Sequence, residues 1–178
     1  MKRDILESVE IPEGIEVELD KNKITIKNKD VTLTKQIINL PIKIKDNKII
    51  FEKKNANKND KKIIKTFLVH MKNMIQGVQE KFTYKLQIAS SHFPITVEKN
   101  NNLIIIKNFL GERKDRISKI LEDVDVKIEG EFITIESNNK ESAGQTAANL
   151  ETATKIRNRD RRRFQDGIYI TDKAGKEI

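Results

Sequence analysis

The chain has 178 residues, 37% apolar and only 5% aromatic, which suits one large domain or two small ones with an aliphatic core. Its net charge of +8 and pI near 9.5 favour a polyanionic partner. No apolar run approaches the ~20 residues of a membrane-spanning helix, and the lack of cysteine excludes disulfides, thiolate zinc sites and a cysteine nucleophile. We therefore expect a cytoplasmic protein without a membrane partner.

The first half of the chain predicts two β-hairpins. Apolar residues alternate over 15–26 on both sides of a turn at 20–23, and Val31 and Leu33 continue the pattern. A second hairpin is predicted over 42–51. Alternation with a period of two residues is typical of half-buried antiparallel strands.

A helix is predicted after these hairpins. It follows a polar loop over 53–60, with Asn59 or Asp60 as its N-cap. Its apolar face consists of Ile63, Ile64, Phe67, Leu68, Met71, Met74, Ile75 and Val78. We expect the methionines on this face to pack in the core and not to form a cofactor site.

The second half of the chain repeats this plan. A strand is predicted over 82–90, hairpins over 95–108 and 124–136, and a helix from about Glu141. The small apolar face of this helix consists of Ala143, Ala147, Leu150 and Thr154. Small side chains of this kind allow a helix to approach a sheet closely.

The two halves also resemble each other residue by residue. Residues 15–28 align with 95–108 at an offset of 80, with eight of 14 positions identical. At an offset of 84, Ile42, Ile44, Ile49, Phe51 and Glu52 fall on Val126, Ile128, Ile133, Ile135 and Glu136. General likeness among hairpins would not reproduce these identities. The sequence therefore predicts an α+β fold of two tandem duplicated lobes, 1–81 and 82–178, each a small antiparallel β-sheet with one helix packed on it.

The densest positive charge lies in residues 155–163, where six of nine residues are basic. Guanidinium groups bind phosphate oxygens in pairs and stack on unpaired bases, so this pattern favours RNA binding over a merely solvated charge run. We expect the segment to end the second helix and to run into a turn over 164–169. Asp160 and Asp166 are expected to orient particular arginines. The candidate RNA-binding residues here are Lys155, Arg157, Arg159, Arg161, Arg162, Arg163, Tyr169 and Lys173.

A second basic stretch spans residues 107–116. Its Phe-Leu-Gly centre predicts a loop tip between strands. An RNA-contacting loop and an ordinary solvated loop both fit this pattern equally well. The candidate residues are Lys107, Arg113, Lys114 and Arg116, together with His92, which we place in the linker between the lobes.

Catalysis finds little support in the sequence. The two histidines are His70 and His92, and neither stands in a Ser/His/Asp order or in a metal-binding spacing. Asp123 and Asp125 lie two residues apart with no histidine nearby, which makes them only a weak metal candidate. We expect no enzymatic activity, no cofactor, no metal and no small-molecule substrate.

Several stretches resemble the universal L-six family of large-subunit ribosomal proteins in its archaeal and eukaryotic form. These are Asn73–Val78, His92–Ile95 and Asn108–Glu112. The most specific likeness is a C-terminal signature formed by Ile156, Arg159, Arg162, Phe164, Asp166, Gly167, Ile168, Tyr169, Ile170 and Lys173. The chain departs from this signature at Thr152, where the family usually has glutamine.

The resemblance implies a structural protein of the large ribosomal subunit. It would bind large-subunit ribosomal RNA near the sarcin–ricin region, where translational GTPases dock, and would adjoin neighbouring ribosomal proteins. The family's RNA contacts in its second lobe imply roles for Arg159, Arg162 and Lys173, whereas Phe164 and Ile168 are expected to anchor the segment to its own lobe. The alternatives are a free-standing nucleic-acid-binding protein and an RNA-processing enzyme.

Overall fold

The protein divides into two compact units, Met1–Glu80 (unit 1) and Lys81–Ile178 (unit 2). Its computed structural model describes residues 3–20, 22–37 and 41–178. Lys21, within the first predicted turn, lies outside these ranges. Each unit combines antiparallel sheets with a single α-helix among the described residues, which confirms the predicted α+β fold with two tandem lobes.

Unit 1 has six strands and one helix in its described part. They are β1 (Arg3–Glu10), β2 (Glu16–Asp20), β3 (Lys23–Asn28), β4 (Val31–Gln36), β5 (Ile42–Lys45), β6 (Lys48–Ala56) and α1 (Lys58–Gln79). The strands form two antiparallel sheets, in the orders β1-β6-β5 and β2-β3-β4. Both predicted hairpins are confirmed, whereas no sequence prediction covered β1.

Helix α1 begins earlier than the sequence predicted. Strand β6 continues to Ala56, which is buried, so the predicted polar loop over 53–60 is wrong. Asn57 is the N-cap: its side chain accepts a hydrogen bond from the Asp60 N–H, and the Asp60 carboxylate accepts one from the Asn57 N–H. This reciprocal capping box satisfies two of the free donors at the helix start. Asp60 therefore serves the cap as its partner and not as the N-cap itself.

The apolar face of α1 packs on the sheets of unit 1. Met71 is fully buried there, as its predicted core role requires, while Ile63 is 46% exposed and departs from the predicted face. The adjacent Ile64 is 1% exposed, so the buried face of the helix passes through Ile64 and leaves Ile63 to one side. No helix in the described ranges is long and apolar enough to cross a bilayer.

Unit 2 has seven strands and one α-helix. They are β7 (Phe82–Ala89), β8 (Thr96–Asn100), β9 (Leu103–Lys107), β10 (Arg116–Lys119), β11 (Asp125–Glu129), β12 (Phe132–Ser137), α2 (Lys140–Ala153) and β13 (Gly167–Lys173). The sheets have the orders β10-β9-β8 and β11-β12-β7-β13. The predicted hairpins and helix are confirmed, and β10 and β13 are additional strands.

The duplication extends to the backbone hydrogen bonds. Strands β1-β6-β5 correspond in order and direction to β7-β12-β11, and β2-β3-β4 to β10-β9-β8 read in reverse. The Ile11 N–H donates to the Asn47 carbonyl at 2.8 Å, and the Ile88 N–H donates to the Glu131 carbonyl at the same distance. Each unit thus holds two sheets where one was predicted, and β13 is the element that unit 2 has in addition.

Helix α2 lies close to its sheet because its contact face is small. Ala143, Ala147 and Leu150 are fully buried, and a Cβ on Gly144 would come within 3.1 Å of the Tyr84 hydroxyl. This close approach to Tyr84 of β7 confirms the predicted contact face.

The residues after β9 turn into the core of unit 2. A short 3-10 turn, Phe109–Gly111, buries both Phe109 and Leu110. The predicted loop tip at these residues is therefore wrong, because two large apolar side chains are removed from water there. Of the basic residues that follow, Arg116 is partly buried, whereas Arg113 and Lys114 are exposed.

Candidate nucleic-acid interface

The arginine-rich segment lies on an irregular loop, residues 155–166, which joins α2 to β13 and is here called the arginine loop. The prediction that these arginines continue the helix is wrong, since α2 ends at Ala153 with Thr154 as its C-cap. The predicted turn over 164–169 is also wrong in its second half, where β13 begins at Gly167 and pairs with β7. A helix would have spread the arginines around an axis, whereas the loop returns to the sheet.

The first of three ties on the arginine loop is Thr154. Its buried hydroxyl accepts a hydrogen bond from the Ile168 N–H at 2.9 Å. The same hydroxyl lies 3.3 Å from the carbonyl oxygens of Leu150 and Glu151, to which it donates. The two ends of the loop are therefore joined through one side chain, and a buried hydroxyl with both roles satisfied is costly to separate.

The second tie is Arg116 of the other basic stretch. Its Nη1 donates to the carbonyl oxygens of Ala153 at 2.9 Å and Lys155 at 3.3 Å. Its Nε donates to Glu112 at 2.8 Å, and its guanidinium carbon lies 4.2 Å from the centre of the Phe109 ring. Hydrogen bonding to Arg116 lowers the pKa of Glu112. Arg116 thus closes the negative end of α2 and joins the two basic stretches that the sequence left separate.

The third tie is Asp166, which is 1% exposed. Its carboxylate accepts hydrogen bonds from the backbone N–H groups of Ser91 at 2.7 Å and His92 at 3.0 Å, and Nδ1 of His92 lies 2.6 Å from Oδ2. Burial raises the pKa of Asp166, but these hydrogen bonds outweigh it and leave the pKa lowered. Asp166 therefore orients His92, and the prediction that it orients an arginine is wrong. His92 itself lies after β7 within unit 2 and not in a linker between the lobes.

A stack of side chains extends this third tie to the loop surface. The His92 ring lies 4.6 Å from the Phe164 ring at an interplanar angle of 24°, and the guanidinium carbon of Arg159 lies 4.9 Å from the Phe164 ring centre. Phe164 is partly buried and Ile168 fully buried against the core of unit 2. Their predicted role as anchors of the segment is confirmed.

The loop held in this way exposes its cations. All six basic side chains of 155–163 are exposed: Lys155, Arg157, Arg159, Arg161, Arg162 and Arg163. Asp160 pairs with Arg162, Oδ2 to Nη2 at 2.9 Å, which confirms that Asp160 orients an arginine. The same hydrogen bond lowers the pKa of Asp160. Since the Arg162 side chain is 91% exposed, this pair leaves its charge available to a partner.

A groove lies beside the arginine loop, and several basic residues line it. It measures about 690 Å³, and Lys119, Asn149, Lys155 and Arg157 are among its lining residues. A second hollow of about 340 Å³ is bordered by Lys155, Arg161 and Tyr169. Because Lys155 borders both the groove and the smaller hollow, the two cavities are neighbours. The six exposed basic residues of the loop and Lys119 together form what is here called the cationic surface.

Sequence reasoning did not select Lys119 or Asn149 for this surface. Lys119 lies on β10, a four-residue strand in which Ser118 is buried and Ile117 is 59% exposed. A buried serine beside an exposed isoleucine is the reverse of the usual burial of apolar residues. The alternation of apolar residues therefore did not predict a strand here. Only the packing of β10 beside α2 brings Lys119 to the groove.

The remaining candidates lie at other places on unit 2. Lys107 pairs with Glu98 at 2.7 Å, and this hydrogen bond raises the pKa of Lys107. Arg113 and Lys114 are exposed in the turn before β10, and Lys173 is exposed at the far end of β13. At about 3.3 Å per residue, Lys173 lies roughly 20 Å along the strand from the arginine loop. The predicted set therefore divides into a central surface and outlying cations.

Tyr169 is used by the loop itself. Its hydroxyl donates to the Gln165 carbonyl at 3.1 Å, and its ring lies over Gly167, where a Cβ would come within 3.0 Å of Cζ. Tyr169 therefore braces the end of the loop and borders the smaller hollow with the rest of its ring.

Replacing Gly167 with alanine is expected to displace the Tyr169 ring and to lower the stability of unit 2 by about 1–2 kcal/mol, the usual cost of overpacking. Thermal unfolding of Gly167→Ala should show this loss. In a Tyr169→Ala background, where the ring is gone, the same substitution should cost almost nothing. An equal loss in both backgrounds would contradict the proposed contact.

No group of three or more His, Asp or Glu side chains that could hold a metal occurs within residues 3–20, 22–37 and 41–178. Asp125, which the sequence suggested as a weak metal candidate, pairs with Lys99 at 3.2 Å. This interaction lowers the pKa of Asp125. The carboxylate is thus already neutralised by a neighbouring cation.

Comparison with known proteins identifies the family. A family model described as ribosomal protein L6 matches residues 93–167, which include the whole arginine loop. A large ribosomal subunit protein uL6 from Methanococcus vannielii is 43% identical over 176 residues, covering 98% of this chain and 97% of that protein. The protein of the same name from Methanobrevibacter smithii is 43% identical over 171 residues, covering 95% and 96%. The chain therefore belongs to the ribosomal protein L6 family, as its C-terminal signature predicted.

Proposed function

We propose that this chain is a structural constituent of the large ribosomal subunit and binds large-subunit ribosomal RNA through the cationic surface of unit 2. The observation that carries the proposal is the arrangement of six exposed basic side chains on one loop whose backbone is tied at three points. Members of the ribosomal protein L6 family are structural components and not enzymes, which confirms the predicted lack of enzymatic activity.

Repulsion among the basic side chains and the order of their loop both favour binding to RNA. Six cations within nine residues repel one another, and a polyanion relieves that repulsion while it releases counterions. A loop that is already ordered loses little conformational entropy when it binds, so more of the interaction energy appears as affinity. This combination suits one fixed site on folded RNA better than loose attachment to any polyanion.

We place the bound RNA near the sarcin–ricin region, with translational GTPases docking nearby and other ribosomal proteins as neighbours in a cytoplasmic particle. Support for this location comes from the likeness of the C-terminal signature to its family. The cationic surface supplies the matching chemistry, because Lys119, Lys155 and Arg157 border a groove in which phosphates can lie.

Tethered hydroxyl-radical cleavage tests the location. The chain lacks cysteine, so Gln165→Cys gives a single thiol on the exposed side of the arginine loop for attaching an iron chelate. After assembly into large subunits, we expect RNA cuts clustered in the sarcin–ricin region. The control is Asn22→Cys in unit 1, tethered and assembled in the same way. Cuts elsewhere from position 165 would overturn the location while leaving RNA binding intact, and no cuts would overturn both.

The free-standing nucleic-acid-binding alternative makes a different prediction. It requires the protein to leave large subunits when they are washed at high salt, since attachment would then be only electrostatic. We expect the chain to stay with washed large subunits in sedimentation. Its loss into the supernatant would favour the alternative.

A further inference from the structure

The outer edge of β1 in unit 1 has a counterpart in unit 2 that is covered by a strand. β1 pairs with β6 as β7 pairs with β12. On its other side β7 pairs with β13, whereas β1 pairs with no second strand in the part of the chain that the structure describes. We propose that this edge binds an extended polypeptide segment of a partner protein, added antiparallel to β1 as β13 is added to β7.

The register of the two units can be matched residue by residue. Val9 faces Ile49 and Leu86 faces Ile133, and these partners are equivalent in the repeat. The equivalent hydrogen bonds of Ile11 and Ile88 fix the same alignment. Residues of β1 therefore correspond to residues 77 positions later in β7.

This alignment shows which backbone groups of β1 are open. In β7, the carbonyls of Thr83 and Lys85 face β13, since they accept hydrogen bonds from the Ala174 N–H and the Thr171 hydroxyl, each at 3.1 Å. Their counterparts are Leu6 and Ser8. Because alternate residues of an antiparallel strand direct both their N–H and C=O to the same edge, Glu10 belongs to this set as well. Three donors and three acceptors thus face outward in a row.

The side chains along the edge specify the chemistry of the partner. In unit 2, Ile168 faces Ile88 and Ile170 faces Leu86. Ile88 and Leu86 correspond to Ile11 and Val9, which are both buried. A bound segment thus needs two aliphatic side chains, two residues apart, opposite Ile11 and Val9.

The charge of β1 selects a basic segment. Arg3 begins β1, and the remaining residues 4–10 carry three carboxylates and no further lysine or arginine, although the whole chain has a net charge of +8. Glu7 is half-buried and makes no ion pair with any residue in the described ranges. Its counterpart, Tyr84, faces Lys173. A lysine or arginine opposite Glu7 therefore completes the pattern.

Space for the incoming side chains borders the same edge. One hollow of about 400 Å³ lies between the first half of β1 and the start of α1, with Ile5 and Leu6 among its lining residues. Another of about 390 Å³ lies between the second half of β1 and the end of α1, beside Val9 and Ile75. Leu6 is 74% exposed, so an aliphatic partner would remove a large apolar side chain from water.

Two other occupants fit the edge less well. A second copy of β1, added antiparallel, would bring carboxylates against carboxylates, which destabilises cross-strand pairs. RNA would meet the same three carboxylates. A basic, aliphatic strand meets neither obstacle.

The test uses the full-length protein and a synthetic peptide of residues Gly167–Lys176, the sequence that covers the equivalent edge. Titration into ¹⁵N-labelled protein should shift the amide signals of Leu6, Ser8 and Glu10. Ser8→Pro removes an outward donor at the edge and should weaken binding on the order of 10-fold or more, while Ser8→Ala should leave it unchanged. A peptide with Lys173→Glu should bind up to about fivefold more weakly, as expected for loss of one cross-strand charge pair.

Several results would overturn the proposal. These are no shifts at millimolar peptide, shifts confined to other surfaces, equal binding by Ser8→Pro and Ser8→Ala, or shifts caused by ribosomal RNA and not by peptide. Shifts that depend on protein concentration without peptide would indicate self-association instead. Circular dichroism tests whether Ser8→Pro is folded. If it is not, Leu6→Pro, which removes another donor on the same edge, is used in its place. None of these outcomes bears on RNA binding by unit 2.

Discussion

Replacing Arg157, Arg161 and Arg163 with glutamine is expected to lower the salt dependence of ribosomal RNA binding by about two units of slope. All three side chains are exposed and make no ion pair with the described residues. Each phosphate contact contributes about 0.7 to the slope of log K against log salt on unpaired RNA, so three contacts give about two. Filter binding to deproteinised large-subunit RNA over a range of salt concentrations measures this slope. Affinity at low salt should fall in parallel.

The matched control removes three positive charges from unit 1. Lys27, Lys43 and Lys48 pair with Glu18, Glu52 and Glu10 respectively. Changing these lysines to glutamine alters the net charge by the same amount but leaves the cationic surface intact, so the slope should hardly change. Equal slopes for the two triple variants would show that net charge, and not the arginine loop, governs binding.

Asp166→Ala is expected to destabilise unit 2 by about 2–4 kcal/mol, because the Ser91 and His92 N–H groups lose a charged, buried acceptor. The loss should also free the arginine loop and weaken RNA binding. Urea unfolding followed through the amide signals of unit 2 measures the stability. Asp166→Asn keeps one acceptor oxygen for these donors and should lose about half as much.

The surface aspartate of the same loop provides a control. Asp160→Ala removes an exposed ion pair with Arg162 and should hardly change the stability of unit 2. If both alanine variants destabilise unit 2 equally, Asp166 is not a specific tie.

The pH dependence of unfolding gives an independent check on Asp166. Burial opposes ionisation, but the hydrogen bonds from His92 and Ser91 hold the pKa of the folded carboxyl below the usual 3.8. The stabilisation is therefore present above pH 3.8 and is lost as the pH falls below this value through the folded pKa. Asp166→Asn should lack this acid-dependent component. A stability difference between wild type and Asp166→Asn that stays constant below pH 4 would contradict the assignment.

The hairpins and helices were predictable because their signals are local and periodic. Alternation over 15–26 and 95–108, and the apolar face of α1, each contain enough residues to define one period. Strand β1 escaped prediction because acidic residues interrupt its apolar positions, and only pairing with β6 makes it a strand. The start of α1 was misplaced because several polar residues in succession all resembled caps, and the reciprocal bonds between Asn57 and Asp60 decide among them.

The candidate site was predictable in its chemistry and not in its geometry. The density of arginines alone identified residues 155–163 as candidates for RNA binding, because a cluster of cations favours a polyanionic partner in any backbone conformation. The shape of the loop depends on Thr154, Arg116 and Asp166, three single residues whose partners are distant in sequence. Such contacts leave no periodic pattern in the sequence, so the segment was predicted to continue the helix.

The pairing of β13 with β7 also sets an order for folding. It joins the first and last strands of unit 2, which are separated by nearly the whole unit, whereas every sheet of unit 1 closes within its own first 56 residues. During synthesis, unit 1 can fold while the sheet of unit 2 still lacks its edge strand, since long-range pairings form late. The tie between Thr154 and Ile168 forms only when β13 docks, and Asp166 directly precedes that strand. A nascent chain therefore holds its arginine loop by fewer contacts until β13 is in place, and the RNA binding that we propose becomes a property of the finished unit 2.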